Sequence, residues 1–548
     1  MMPITSSRPP GLPLSLTYPE APVSALLAGS ALRFGDRVAF RYGQAQLTHA
    51  GLHADACRFA GALRAHGIGR GDTVALHLPN RLSFPVAYYG TLLAGATFSP
   101  ANPLLPAKDL AAQLADCAAR AVVTYGPVAA ALEGAGIGLV ITDEPGSGAG
   151  LGFDAFLAGG ETKPPEPAVD VHTDLAHLAY TGGTTGRSKG VRLTHRNVLV
   201  NTLQYACWGT GSVPGLDDDG NPVLDQIGDA GEWPVRLGTG IGINLTPWFH
   251  AMGTIGSLNV PVLSGGTVVL HDRFDPPSYV AEAERLRVTS MSGAPALFAA
   301  LLACPSFHTA DLSSVAMITS GAAPMPHDMI NALRGRFPDA VIAEGYGLTE
   351  ATMGATLSPS WRSGTRKTGS VGVPTFDTEV KIVAAEGGEE PLPVDTKGEV
   401  CVRGPQVMAG YHEREAETAA VLVDGWLHTG DVGVLDEDGF LSIVDRKKDM
   451  LIYKGYNVYP RELEELLITL PEVTAAAVVG RPSPGIGESP VAFVVRAPGH
   501  DDLTESTLLT TVNAQVVPYK RLRELHFVES IPVSAAGKVL KRQLRERL

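Results

Sequence analysis

From about Asp36 to His271 the chain alternates short apolar, β-branched runs with longer stretches rich in alanine and leucine at helical spacing. DTVALHLP at Asp72, RAVVTYG at Arg120 and GGTVVLH at Gly265 are of the first kind. ACRFAGALRAHG from Ala56 and KDLAAQLADCAARA from Lys108 are of the second. The rhythm resumes with RVTSMSG, AMITSGAAP and AVIAEGYG, each a strand-like run closed by a turn of small residues. Such alternation predicts an α/β fold of several layers built on largely parallel sheets. Ligands of such sheets gather in the loops beyond the carboxyl ends of the strands, where SGAAP and EGYGLTE fall.

One stretch breaks the rhythm. Residues Gly209 to Gly240 are rich in Gly, Asp and Pro and include Asp217, Asp218 and Asp219. The spacing of a calcium loop is absent, so a solvated surface insertion is expected. After Gly364 the runs shorten (GEVCVRG, DVGVLDEDGFLSIVDR), and the last hundred or so residues read as a small α+β unit. Pro460 sets the first turn of a helix whose apolar stripe is Leu463, Leu466, Leu467 and Leu470. Strand-like AAAVVG and PVAFVVR follow, then a helix near Leu503 to Val516, then LHFVES. The charged segment Asp445-Arg446-Lys447-Lys448-Asp449 marks the boundary, giving domains 1–445 and 446–548.

Composition excludes several classes. With 45% hydrophobic and 18% charged residues, a disordered chain is ruled out, and 62 Gly and 41 Pro without a period exclude a fibrous one. A net charge of −14 argues against a partner recognised by phosphate neutralisation, so no nucleic acid is expected. The five cysteines (Cys57, Cys117, Cys207, Cys304, Cys401) form no CxxC pair, which fits neither zinc nor a disulfide framework and suits the cytoplasm. MMPITSSRPPGLPLSL has no basic start and no long apolar run, so no secretory signal is expected, and no transmembrane segment either.

The strongest local signal is Tyr180-Thr181-Gly182-Gly183-Thr184-Thr185-Gly186-Arg187-Ser188-Lys189-Gly190, after the strand-like LAHLAY. Glycines let backbone amides converge on phosphate oxygens, while hydroxyls and Lys189 add donors and charge. It is not a Walker A loop, and a plain polar Gly/Thr turn has the same composition. The segment resembles the phosphate-loop signature of the adenylate-forming superfamily, which includes acyl-CoA synthetases, peptide-synthetase adenylation domains and firefly luciferase. Seven further signatures follow in the family's order. They are TPWFHAMG at Thr246, SGAAPM at Ser320, GYGLTE at Gly345, GEVCVRGPQVMAGY at Gly398, GWLHTGDVG at Gly425, DRKKDMLIYKGYNVYPRELEELL at Asp445 and PVSAAGKVLKRQL at Pro532. The likeness extends from about Leu26 to the end.

The resemblance implies a large amino-terminal domain and a small mobile one joined by a hinge at Lys448. It implies an ATP- and Mg²⁺-dependent acid–CoA ligase that passes through an acyl-adenylate, most like fatty-acid–CoA ligases. Thr181, Gly182, Gly183, Thr184, Thr185, Gly186 and Lys189 would cradle phosphates, and Glu350 with Thr185 would hold Mg²⁺. Gly345, Tyr346, Gly347 and Thr349 would meet adenine and the α-phosphate. Gly321, Ala322 and Ala323 would border adenine and the acyl pocket. Asp431 would accept the ribose hydroxyls, with Arg446 as their donor. Lys538 would be catalytic in adenylation, His250 would gate the acyl tunnel, and Gly455 would border the path of the CoA pantetheine.

Two departures stand out. The loop has Gly-Gly where many relatives have Ser-Gly, and Ser188 stands where proline is usual; the first resembles the fatty-acyl branch. An aryl acid such as a coumarate, and a carrier protein in place of free CoA, remain alternatives. The sequence sets no oligomeric state, and a homodimer is compatible with it. A catalytically silent nucleotide scaffold is disfavoured by the joint presence of Thr185, Glu350, Asp431, Arg446 and Lys538.

Overall fold

A computed structural model describes residues 8–144, 150–161, 168–181, 188–321, 323, 325–454, 456–483, 486–533 and 539–548. The chain divides into two compact units, one of residues 1–321, 327–379 and 402–427, the other of 322–326, 380–401 and 428–548.

Two large sheets organise the first unit. In one, Val38–Tyr42, Thr267–Leu270, Ile241–Asn244, Ser290–Gly293, Met317–Ser320 and Val341–Tyr346 lie side by side and parallel. In the other, Leu139–Thr142, Ala119–Thr124, Thr73–His77, Thr97–Pro100 and Leu175–Thr181 run parallel, and Lys189–Thr194 returns antiparallel along the last. The apolar runs are continuous because these strands are covered on both faces. Every residue of Thr73–His77 is buried. The helix-patterned stretches become His49–Ala65 and Ala107–Asp116; the second ends before Ala118, whose φ of +47° breaks the helix, and Ala119 begins the next strand.

The Gly209–Gly240 stretch departs from expectation. It folds into a hairpin, Ser212–Leu216 against Pro222–Gln226, exposed at the Asp218–Gly220 tip and again at Asp229–Gly231 but with Ser212, Pro222 and Leu224 buried. The Asp217 carboxylate closes that tip by accepting the Asp219 and Asn221 N–H groups at 3.0 and 2.8 Å. Beyond it Trp233 turns inward, 1% exposed, and its indole N–H donates to the Trp208 carbonyl at 3.2 Å. Gly, Asp and Pro mark turns, while Leu224 and Trp233 are both buried where the segment packs inward.

In the second unit, the helix Pro460–Ile468 has Leu463 and Leu467 fully buried, packed with Val478, Val494, Leu508 and Leu525. Its sheet pairs Val473–Ser483 with Gly487–Arg496, and Glu524–Phe527 adds parallel to the latter. The later helix is Glu505–Asn513, capped by Thr504. No described helix is long and apolar enough to cross a membrane.

Candidate active site

In the first unit, the strand Val341–Tyr346 runs into a 3₁₀ turn, Thr349–Ala351, before the chain returns as Thr356–Leu357, with Gly345 opposite Leu357 and Tyr346 opposite Thr356. Gly347 has no room for a side chain, since a Cβ there would stand 1.9 Å from the Met353 carbonyl oxygen. Thr352 is buried at φ +65°, a region β-branched residues avoid, and its hydroxyl donates to the Gln406 carbonyl at 2.7 Å. Two more bonds tie this turn to the 404–411 stretch. The Met408 N–H donates to the Glu350 carbonyl at 2.9 Å, and the Tyr411 hydroxyl to Glu350 Oε1 at 2.9 Å.

Tyr411 in turn lies opposite Val191, on the strand Lys189–Thr194. The Lys189 ammonium stands 4.9 Å from the Tyr411 ring centre and pairs with Glu417. Burial, reinforced by the Glu350 charge, pushes the Tyr411 hydroxyl well above its ordinary range, so it donates at any working pH. A carboxylate, a neutral hydroxyl and an ammonium therefore follow one another from Glu350 to Lys189. Thr181 pairs with Lys189 across the ladder, and its carbonyl accepts the Ser188 hydroxyl at 2.5 Å. Gly182, Gly183, Thr184, Thr185 and Gly186, which link these two strand ends in sequence, lie outside the described residues.

His250 follows the strand Ile241–Asn244, half-buried, with its ring 4.7 Å from that of Phe249. After it Met252–Asn259 winds as a π-helix, a form that recurs at functional sites. A Cβ placed on Gly321 would stand 3.3 Å from the Met252 sulfur, and one on Gly256 would stand 3.1 Å from that of Met353. The Ser320–Gly321 strand end, the π-helix and the Glu350 turn are thus neighbours. Ala323 is exposed, and Ala322 lies outside the described residues.

In the second unit, Asp431 on the strand Trp426–Leu435 sits opposite Arg446 on Leu441–Arg446. The Arg446 Nε donates to Asp431 Oδ1 at 3.0 Å; Asp431 is buried and Arg446 half-exposed. The turn after Arg446 closes through the Asp449 and Met450 N–H groups on its carbonyl, at 2.9 and 3.0 Å, with Lys448 exposed on it. Gly455 and Lys538 lie outside the described residues.

Thr352, Tyr411 and Glu417 escaped the reading of the sequence. Tyr411 closes the GEVCVRGPQVMAGY signature and could have been singled out, whereas the φ of Thr352 leaves no trace in composition. The AMP-binding enzyme family matches residues 27–412, and the AMP-binding enzyme C-terminal domain matches residues 462–538. The chain is 33% identical to a long-chain-fatty-acid–CoA ligase of Bacillus subtilis (strain 168), over 99% of this chain and 98% of that one. It is 36% identical to 4-coumarate–CoA ligase-like 9 of Oryza sativa subsp. japonica, over 98% and 94%. Its fold is similar to the crystal structure of ATP bound MatB from Rhodopseudomonas palustris, with a TM-score of 0.83 and 28% identity over 96% and 98% of the two chains.

Proposed function

The chain belongs to the AMP-binding enzyme family, and from that premise we propose that it activates a medium- or long-chain fatty acid with ATP, Mg²⁺ and CoA. It is an AMP-forming acid–CoA ligase. A substrate carboxylate oxygen attacks the α-phosphorus of ATP and pyrophosphate leaves. The CoA sulfur then attacks the acyl carbon, loses its proton and expels AMP.

The Glu350 turn carries the reading of the first step. Among the described residues no cluster of three or more His, Cys, Asp or Glu could hold a metal. A single carboxylate is nevertheless what Mg²⁺ takes when phosphates and water supply its other ligands. Bound there by Glu350 and Thr185, it would neutralise phosphate charge. Tyr411 orients the Glu350 carboxylate, and Thr181, Gly182, Gly183, Thr184, Gly186 and Lys189 receive the phosphates. Gly345, Tyr346, Gly347 and Thr349 meet the adenosine and α-phosphate, and Asp431 and Arg446 meet the ribose. Lys538 stabilises charge at the α-phosphate. For the second step residues 446–548 turn about Lys448, and Gly455 borders the pantetheine. Five free, buried cysteines support a cytoplasmic setting.

Substrate choice rests on the wall after His250. Residues 251–266 carry no charged side chain, and Gly321, Ala322 and Ala323 are small. Burying an unpaired second carboxylate or an ammonium against them would cost several kcal/mol, so dicarboxylic and amino acids are expected to be poor substrates. Each buried methylene contributes about 0.8 kcal/mol, so kcat/KM should climb with chain length until the tunnel ends. The 36% identity to a coumarate-ligase relative keeps an aryl acid as the second reading. Pyrophosphate release across acetate, hexanoate, decanoate, palmitate, benzoate, 4-coumarate and malonate, with and without CoA, tests both. A maximum at malonate or acetate would sink the pocket argument; one at 4-coumarate would overturn only the branch.

The hinge has its own test. Proline fixes φ, so Lys448→Pro should hold one domain orientation. Pyrophosphate release should survive largely intact while thioester formation is lost. Normal CoA transfer by this variant would move the hinge elsewhere.

A further inference from the structure

The Asp431–Arg446 pair is bracketed by a third charge. Glu399, on the strand Gly398–Arg403, is buried, its side chain 7% exposed. Its Oε1 accepts the Gly430 N–H at 3.1 Å. Its Oε2 accepts the Lys447 ammonium at 2.9 Å and lies 3.5 Å from His428 Nδ1, whose other ring nitrogen is 3.4 Å from Glu389. Gly430 immediately precedes Asp431, and Lys447 immediately follows Arg446. These two flanking residues also meet each other, the Lys447 N–H donating to the Gly430 carbonyl at 2.9 Å.

The backbone here needs such a brace. Gly430 takes φ +71°, and the ladder between the two strands slips between Val432 and Gly433. The regular register here is therefore short, Asp431 opposite Arg446 and Val432 opposite Asp445 before the slip. A buried carboxylate is costly unless donors surround it, and Glu399 finds two of its donors on the residues adjoining the pair. Moving Asp431 or Arg446 away from the other would strip hydrogen bonds from a charge that cannot reach water.

We propose that Glu399 is a positioning residue for the nucleotide ribose, holding Asp431 and Arg446 in register through Gly430 and Lys447. The proposal rests on the reading of Asp431 and Arg446 as the ribose pair. It predicts an effect confined to nucleotides that carry ribose hydroxyls, which a general loss of stability would not produce.

The test compares ATP with 2′,3′-dideoxy-ATP in pyrophosphate release by the full chain, as wild type, Glu399→Gln, Lys447→Met and Asp431→Asn. Glu399→Gln should raise the KM for ATP by on the order of tenfold, the scale of a hydrogen bond to a charged group, with kcat little changed. Its KM for the dideoxy nucleotide should match that of the wild type. Lys447→Met should do the same more weakly, by about twofold, as a half-exposed ion pair allows. If Glu399→Gln does not fold, the Lys447→Met comparison decides. Parallel increases for both nucleotides, or no change for either, would overturn the proposal. A wild type that treats the two nucleotides alike, with Asp431→Asn silent, would instead remove the ribose assignment and the proposal with it.

Discussion

Replacing Lys538 by alanine is expected to slow acyl-adenylate formation by on the order of 10²-fold or more, the scale of losing one transition-state donor. Capture of a supplied acyl-adenylate by CoA should proceed at close to the wild-type rate. The asymmetry follows from where charge develops. Carboxylate attack on the α-phosphate brings two anions together, and an ammonium held at that point acts on the transition state more than on bound ATP. Neighbouring cations of the tail have other partners: Lys541 pairs with Glu464 and Arg545 with Asp449, each at 2.8 Å, and Arg542 with Glu546 at 2.9 Å. These pairs hold the carboxyl-terminal helix to its unit or to itself, so Lys541→Ala should cost stability without separating the half-reactions. The nearest described residues on either side of Lys538 are anchored as well. Val533 bridges Val539, the Leu540 N–H donates to the Pro532 carbonyl at 2.8 Å, and Leu544 is fully buried against Val479 and Phe493. Anchored flanks suit a side chain whose value lies in its position. Pyrophosphate release and thioester formation from synthetic acyl-adenylate, measured separately, check the division; equal losses in both would refute it.

What the sequence made legible follows from what leaves a local mark. Thr73–His77 and Met317–Ser320 announce themselves as buried strands because both faces are covered, and Pro460 with its leucine stripe announces a helix. The order of strands leaves no such mark: Val38–Tyr42 lies beside Thr267–Leu270, a pairing that only long-range packing selects. The motif residues Glu350, Asp431 and Arg446 could be named because their neighbours form recognisable signatures. The pairings that support them could not. Tyr411 reaches Glu350 across 61 positions and Lys447 reaches Glu399 across 48, separations at which one sequence carries no pairing signal. Trp233 fails for a different reason: the turn-forming residues around it predict where the chain bends but not which way it folds back.

Acid is expected to unfold the first unit well before its carboxylates are all protonated. His49, His77, His177 and His195 are buried there as neutral rings, and burial lowers them to about 4, about 4, about 3 and about 4. Each has a polar partner that suits the neutral form. His49 meets the Ser30 hydroxyl at 2.7 Å, His77 the Thr124 hydroxyl at 3.0 Å and His177 the Tyr88 hydroxyl at 2.8 Å, while His195 Nδ1 accepts the Val23 N–H at 3.1 Å. In the unfolded chain these rings take up protons near pH 6.5; in the fold they do so only near 4 or below. The unfolded state therefore binds more protons as pH falls below 6.5, and stability drops until the folded-state values are reached. Four rings together give a slope of about 5 kcal/mol per pH unit below about pH 5.5, against a total of about 5–15 kcal/mol for a typical domain. Asp143, raised by burial, works in the opposite direction but is a single group partly offset by Arg81. All five tryptophans lie in this unit, and Trp208, Trp233, Trp248 and Trp361 are buried, so their fluorescence reports its unfolding. Urea midpoints should already be a little lower at pH 6.5 than at 7.5, clearly lower at 5.5 and lost by about 4.5. A midpoint that stays flat from pH 6.5 to 5 would mean that these imidazoles are charged or hydrated within the fold, and the burial argument would fall.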